Sequence, residues 1–131
     1  MKYTILIHGI PAAQQRPRFF RRGSKVGAYD PQRSKSWKEI VRWSAVEAGV
    51  PILPGPLKVT LFFLLPRPKS LPKKVTEHTR KPDLDNLIKS VLDALKGIAF
   101  KDDAQIVSLR ATKAYTIKVF GVEVNLEAAE S

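Results

Sequence analysis

One segment organises this chain: Pro82-Asp83-Leu84-Asp85-Asn86-Leu87-Ile88-Lys89, which continues through residues 90–103. Its apolar residues recur at the spacing of one face of an amphipathic helix; they are Leu84, Leu87, Ile88, Val91, Leu92 and Leu95. Asp83 is a suitable N-cap after Pro82, and Gly97 is a suitable C-terminal stop. The pattern therefore predicts a helix of about 13 residues and about 20 Å.

Pairs of aspartates flank this predicted helix in a chain that is otherwise strongly basic. Asp83 and Asp85 stand at its start, and Asp102 and Asp103 follow its end. The chain has 23 Lys and Arg against 12 Asp and Glu, so acidic side chains gathered in one region need a reason. The helix length keeps the two pairs apart. A single acidic cluster therefore requires that residues 98–103 turn back along the sheet, or that a strand returns Asp102 and Asp103 to the helix start.

Clustered carboxylates without a His or Cys partner are typical ligands of Mg²⁺ or Mn²⁺ and not of zinc. Such an ion would neutralise charge on a phosphate under attack and lower the pKa of the attacking water. Each carboxylate also has a local explanation: Asp83 as an N-cap, Asp85 as a partner of the helix dipole, and Asp102 with Asp103 as a polar turn. Their joint retention, despite mutual repulsion, favours metal binding.

Lys89 lies four residues after Asp85 on the same helix face. One interpretation is an i,i+4 ion pair that contributes a few tenths of a kcal/mol. The other is a cation directed at the scissile phosphate or at the attacking water. Asp93 continues the face and could pair with Lys89 or Lys96, which is a structural role. Asn86 could orient a carboxylate or a metal-bound water.

The net charge of +11 predicts a polyanionic partner, with nucleic acid as the first choice and an anionic membrane surface as the second. Residues 16–38 and 67–81 together hold 14 of the 23 basic residues. Phe19, Phe20 and Tyr29 interleave with the first cluster, where they could stack on unpaired bases or pack on the core. The predicted DNA-binding residues are Arg16, Arg18, Arg21, Arg22, Lys25, Lys73, Lys74 and Arg80.

Other classes of protein are disfavoured by composition. The chain has no cysteine, which excludes disulfides, a thiolate nucleophile and a Cys-based zinc site, and fits a reducing cytoplasm. No apolar run approaches the roughly 18 residues that a membrane span needs. His8 and His78 stand alone and make a poor metal site. A length of 131 residues predicts one domain, 1–131.

The rest of the pattern predicts the order β-α-β-α-β-β, an α/β (α+β) fold with two helices on a mixed four-stranded sheet. We expect strands at 2–8, 57–65, 105–114 and 120–126, a long basic loop at 9–33, and a first helix from a capping box at Ser36–Glu39 to Gly49. Strand 57–65 should be central, and Trp37 should lie in the core with Trp43 on another face. The last two strands form either a hairpin, with its turn near 115–119, or one bulged strand.

The segment from Pro82 to Lys113 resembles the RusA family of small, often phage-derived Holliday junction resolvases. The likeness lies in D-L-D-N-L-x-K-x-x-L-D-A-L over residues 83–95 and D-D-A-Q-I-V over residues 102–107. It extends to Gln15-Arg16-Pro17-Arg18-Phe19 and to residues 65–70, and so covers most of the chain.

The resemblance implies an α/β endonuclease that uses Mg²⁺ (or Mn²⁺) and resolves four-way DNA junctions by paired cuts in recombination and repair. It places essential carboxylates at Asp83, Asp85 and Asp103, a further candidate ligand at Asp102, and a catalytic lysine at Lys89. It also implies a homodimer, and we expect a cytoplasmic, phage- or prophage-encoded protein. The alternatives are a nuclease for other branched DNA and a non-catalytic basic DNA-binding module, which the metal dependence of cleavage would separate.

Overall fold

The structure is a computed structural model that describes residues 1–14, 21–22, 25–26, 31–75 and 79–129; for residues 21–22, 25–26 and 31 it describes the backbone only. The elements are β1 (Lys2–His8), β2 (Arg21–Arg22), β3 (Lys25–Val26), α1 (Pro31–Glu47), β4 (Leu57–Pro66), α2 (Leu84–Leu95), a 3₁₀ turn (Asp103–Gln105), β5 (Ile106–Thr116) and β6 (Gly121–Ala128). The predicted fold of two helices and a mixed four-stranded sheet is confirmed. The small β2–β3 hairpin was not predicted within the basic loop.

The main sheet has the strand order β1-β6-β4-β5. As predicted, β4 is central: it pairs antiparallel with β6 and parallel with β5. Alternate β4 residues are buried, and these are Leu57, Val59, Leu61, Phe63 and Leu65. They join one core with the inner faces of α1 and α2, so both helices cover the same face of the sheet. In the described part of the chain, no helix covers the opposite face of the sheet.

The predicted hairpin between the last two strands is wrong. β5 and β6 are not neighbours, because β4 lies between them and binds both. The connection from Thr116 to Gly121 therefore crosses the end of β4. Gly121 explains the break in hydrophobic phase: its φ is +154°, and a Cβ there would lie 1.9 Å from the carbonyl oxygen of Ile7. Only glycine lets β6 begin so close to β1.

The first helix begins earlier than its capping box predicts. α1 starts at Pro31, whose fixed φ suits a first helical position, and Ser36 lies inside the helix. The Ser36 hydroxyl accepts a hydrogen bond of 3.3 Å from Gln32 Nε2. The predictions for the tryptophans are confirmed, since Trp37 is 2% exposed and Trp43 is 70% exposed. No helix in the described ranges is long and apolar enough to cross a membrane.

The second helix agrees with its prediction. Its core face is fully buried and comprises Leu87, Ser90, Val91, Ala94 and Leu95. Gly97, with φ of +85°, follows the helix as its stop. α2 runs opposite to β4 and β5. Its start lies beside Lys113 near the end of β5, and the turn after its end bonds to Leu53 before β4. We call these the upper end (start of α2) and the lower end (end of α2) of the molecule.

Candidate active site

Asp83 stands at the N-cap position of α2, but its carboxylate makes no capping hydrogen bond. Instead, Asp83 Oδ2 accepts a hydrogen bond of 2.7 Å from Lys81 Nζ. The side chain is 45% exposed. The helix needs the Asp83 backbone, whose carbonyl accepts from Leu87 N at 3.1 Å. Capping therefore does not account for an acidic side chain at this position.

Asp85 occupies the first turn of α2 and is exposed. The next residue anchors this turn, because the carbonyl of Asn86 accepts a hydrogen bond of 2.9 Å from Gln14 N. Residue 14 directly precedes the first basic segment in sequence, and residues 80–81 of the second basic segment directly precede the helix. The upper end therefore carries the Asp83–Asp85 pair beside Gln14 and directly after Arg80 and Lys81 of the second basic segment.

Lys89 forms its ion pair with Asp93 and not with Asp85. The distance from Lys89 Nζ to Asp93 Oδ2 is 3.6 Å, and both side chains are partly exposed. Such a pair on a helix surface contributes little to stability. The one-turn spacing leaves Asp85 on the same exposed stripe of the helix as Lys89. Lys89 thus lies one helical turn from Asp85 on the exposed side of α2.

Asp102 has a structural task at the lower end. Its Oδ1 accepts a hydrogen bond of 3.1 Å from Ala104 N, and its backbone N–H donates to Gln105 Oε1 at 3.0 Å, which completes a capping box. The Ala104 N–H lowers the pKa of the Asp102 carboxyl, with further lowering from Asp103 and from Lys96 at 4.0 Å. Asp102 therefore acts first as the cap of the 3₁₀ turn.

Gln105 is an organising residue that the sequence reasoning missed. Its Nε2 donates to the carbonyls of Leu53 and Gly55 at 2.9 and 2.8 Å, while its Oε1 also accepts from Lys101 N at 2.9 Å. One side chain thus fixes the turn that carries Asp103 against the loop before β4. The partners of its amide lie 52 and 50 residues away, so no local pattern could have indicated this contact.

Asp103 lines an open groove of about 430 Å³ along the outer edge of β5, with Leu92 on one side and residues 106–109 on the other. Two apolar side chains of this groove are well exposed: Val107 by 64% and Leu109 by 43%. Among the described residues β5 pairs only with β4, so its other edge presents unpaired backbone groups. Asp103 therefore sits beside an open, partly apolar strand edge.

The two aspartate pairs lie at opposite ends of α2. The helix has 12 residues, which corresponds to about 18 Å. Lys96 lies near Asp102 at one end, and Pro82 contacts Lys113 at the other. The return of residues 98–103 to the helix start, which a single-chain cluster required, does not occur. In the ranges that the structure describes, no group of three His, Cys, Asp or Glu is placed to hold a metal ion.

The predicted DNA-binding residues are described only in part. Lys73, Lys74 and Arg80 are exposed. Arg67, in the same basic segment, turns inward: its guanidinium donates to the carbonyls of Pro72 and Val75 and lies 5.8 Å from the centre of the Tyr115 ring. Arg67 thus binds the backbone at Pro72 and Val75, and Lys73 and Lys74 between them are exposed. Arg16, Arg18 and the side chains of Arg21, Arg22 and Lys25 lie outside the described residues.

Comparison with known proteins identifies the class as endodeoxyribonuclease. A family model described as Endodeoxyribonuclease RusA matches residues 8–127, and the chain belongs to this family. The match includes both aspartate pairs and confirms the resemblance seen in residues 83–107. The chain is thus an enzyme of a family that resolves Holliday junctions. It is also 36% identical over 127 residues to the "Uncharacterized protein YqaN" of Bacillus subtilis (strain 168), with 88% of each chain covered.

Proposed function

We propose that the protein is a Mg²⁺-dependent endonuclease that resolves four-way DNA junctions by paired cuts. The observation that carries this proposal is the Asp83–Asp85 pair, held at the start of α2 directly after a basic segment in a chain with net charge +11. Acidic side chains at this position oppose DNA binding by themselves. A divalent cation would reverse that effect. The process served would be recombination and repair.

The donor set at the upper end fits Mg²⁺. Two carboxylates offer hard oxygen ligands, and proteins hold Mg²⁺ through one or two carboxylates together with phosphate oxygens and water. The Asp83 carboxylate is not used as a helix cap, and it pairs with the exposed side chain of Lys81, which a cation could replace. When bound, the ion supplies neutralisation of charge on the phosphate and a lower pKa for the attacking water. Mn²⁺ satisfies the same ligands.

The surrounding residues have distinct tasks in this proposal. Lys89 places a positive charge on the exposed stripe beside Asp85, where it can stabilise the charge that develops on the phosphate. The N-terminus of α2 adds its own positive end to the same place. Lys73, Lys74 and Arg80 hold the DNA backbone. These contacts position the junction without reading its sequence.

Asp103 enters the site only if a second chain supplies it. The open β5 edge offers the route, because two such edges can pair antiparallel about a two-fold axis. A pairing centred near Ser108 sets residue 103 of one chain opposite residue 113 of the other, beside the start of α2. It also covers the exposed Val107 and Leu109. Each of the two sites would then combine Asp83 and Asp85 of one chain with Asp103 of the other.

A homodimer of this kind suits the substrate. A four-way junction has two-fold related strands, and its resolution requires two matched cuts. Two composite sites related by the same symmetry would place one site at each strand. Loss of the dimer would remove the third carboxylate from both sites. Dimerisation and cleavage are therefore coupled in this proposal.

Cleavage of a synthetic four-way junction tests the function, with linear duplex of the same length as the comparison substrate. We expect symmetric cuts in the junction with Mg²⁺ or Mn²⁺, none with EDTA, and none in the duplex. Asp83→Asn is the matched control, because it retains the backbone and loses the carboxylate charge. Cleavage that persists in EDTA contradicts the metal requirement. Junction binding without cutting in any divalent ion favours the non-catalytic DNA-binding module.

A further inference from the structure

Lys113 is a partly buried lysine that the sequence pattern does not indicate as functional. It lies in β5 opposite Phe63 of β4, on the face of the sheet that the helices cover. Its Nζ donates two hydrogen bonds of 2.9 Å, one to the carbonyl of Arg80 and one to the carbonyl of Pro82. These carbonyls lie three residues and one residue before Asp83. The lysine thus links the sheet to the backbone that leads into the candidate site.

The position of Lys113 is unfavourable unless it has a specific partner. A cation beside a helix N-terminus opposes the positive end of the helix dipole, and a partly buried ammonium group must replace the water that it loses. The two carbonyls satisfy two of its three donors. Hydrogen bonds from a charged donor are stronger than neutral ones, so they resist opening of this segment.

The contact acts on the segment that leads into α2. Residues 79–83 are irregular and belong to no strand or helix. The first intrahelical hydrogen bond, from Leu87 N, ends on the carbonyl of Asp83 itself. Lys81 binds the Asp83 carboxylate through an exposed, flexible side chain. In the described part of the chain, Lys113 ties the backbone that leads into Asp83 to β5.

We propose that Lys113 is a positioning residue that fixes Asp83 for metal binding by tying the carbonyls of Arg80 and Pro82 to β5. The inference rests on the proposed function of the Asp83–Asp85 pair. Lys113 does not contact the DNA in this proposal. It reduces the freedom of one ligand, so that less conformational entropy is lost when the cation binds.

Lys113→Met tests the proposal, because methionine has a similar length without charge or donors. Lys113→Arg keeps the donors, and Lys58→Met is the matched control that removes one charge from the open face of the sheet. We expect amide exchange at Leu87 to rise at least tenfold in Lys113→Met, while exchange at Leu95, at the far end of α2, changes much less. The Mn²⁺ dissociation constant, followed by EPR, should rise at least fivefold. Lys113→Arg should recover most of both effects, and Lys58→Met should show neither.

Several outcomes would overturn the proposal. Exchange at Leu87 that stays at the wild-type rate shows that Lys113 does not brace the segment. Equal increases at Leu87 and Leu95 show general destabilisation. Faster exchange with unchanged Mn²⁺ affinity shows a role in folding alone. Lys113→Gln, which keeps one shorter donor, replaces the Met variant in every arm if that variant does not fold.

Failure of the proposed function would look different. A wild-type chain that binds no Mn²⁺ and cuts no junction refutes the metal site, and with it the assigned purpose of the brace. The comparison of Leu87 with Leu95 needs neither metal nor DNA. It still decides whether Lys113 holds the start of α2.

Discussion

Removal of the cations displayed by the second basic segment should change the salt dependence of junction binding by a predictable amount. Lys73, Lys74 and Arg80 are all exposed, whereas Arg67 in the same segment is engaged with backbone carbonyls. The perturbation is the triple change of Lys73, Lys74 and Arg80 to Ala. It leaves Arg67 and its hydrogen bonds to the carbonyls of Pro72 and Val75 in place.

The magnitude follows from counterion release. Each phosphate contact contributes about 0.9 to the slope of log affinity against log salt, so three lost contacts reduce the slope by about 2.7. Between about 50 and 200 mM salt, a slope smaller by about 2.7 corresponds to a roughly 40-fold smaller loss of affinity. A difference of this size is well within reach of a titration.

The assay is a junction-binding titration at four or more salt concentrations, in EDTA so that no cleavage occurs. A control variant changes Lys2, Arg42 and Lys58 to Ala, which removes the same charge from exposed positions of β1, α1 and β4 outside residues 16–38 and 67–81. Its slope should stay close to that of the wild type. A reduction below one unit in the first variant, or an equal reduction in both, would refute the assignment of the segment to the DNA backbone.

Three further predictions concern the carboxylates and Lys89. Asp83→Asn should abolish cleavage and leave junction binding unchanged or tighter, since it removes a negative charge; cleavage near the wild-type rate would exclude Asp83 as a ligand. Lys89→Ala should lower the cleavage rate at least tenfold with little change in melting temperature, because the exposed ion pair of Lys89 with Asp93 contributes only a few tenths of a kcal/mol. Small decreases in both the cleavage rate and the melting temperature would show that Lys89 serves only in that ion pair. Asp102→Asn should be less stable than the wild type at neutral pH. Because the folded pKa of Asp102 is lowered, this difference should persist above the ordinary carboxyl pKa of about 3.9 and disappear as the pH falls through the folded value; a difference independent of pH in urea unfolding would contradict the role of its charge.

Local features of the fold could be predicted from the sequence because each depends on residues close together in the chain. The period of apolar residues defines α2, and the alternating apolar residues of β4 indicate a strand with a buried face. Gly97 marks the end of α2 by its backbone conformation. The capping box at Ser36 predicted too late a start for α1, because the helix begins at Pro31.

The pairing of strands could not be predicted in the same way. The closeness of β5 and β6 in sequence predicts a hairpin between them. In the structure β4 lies between the two strands and pairs with both. The central strand needs a hydrogen-bonding partner on each edge, and sequence distance does not record which strands supply them. The alternation of apolar residues is interrupted at Gly121, and this interruption was visible in the sequence. Its cause, the close approach of the Ile7 backbone, was not visible there.

The motif in residues 83–107 identified the candidate ligands but not their arrangement. Residues that share one motif are separated by the length of α2, so their nearness in sequence did not place them together in one chain. The side chains that fix each half were also invisible to the pattern. Gln105 and Lys113 donate to backbone carbonyls. Every residue has such a carbonyl, so the sequence does not indicate which residue accepts the hydrogen bond.

The most direct test of the central claim is complementation between inactive variants. Asp83→Asn and Asp103→Asn are mixed in equal amounts after subunit exchange, and junction cleavage is measured against each variant alone. Random pairing makes about half of the dimers mixed, each with one intact composite site, so about one quarter of the wild-type sites should return and should nick one strand. A mixture of Asp83→Asn with Asp85→Asn, which damages both sites of every mixed dimer, should restore nothing. If the first mixture stays as inactive as its components, the two chains do not share their carboxylates and the composite site is wrong.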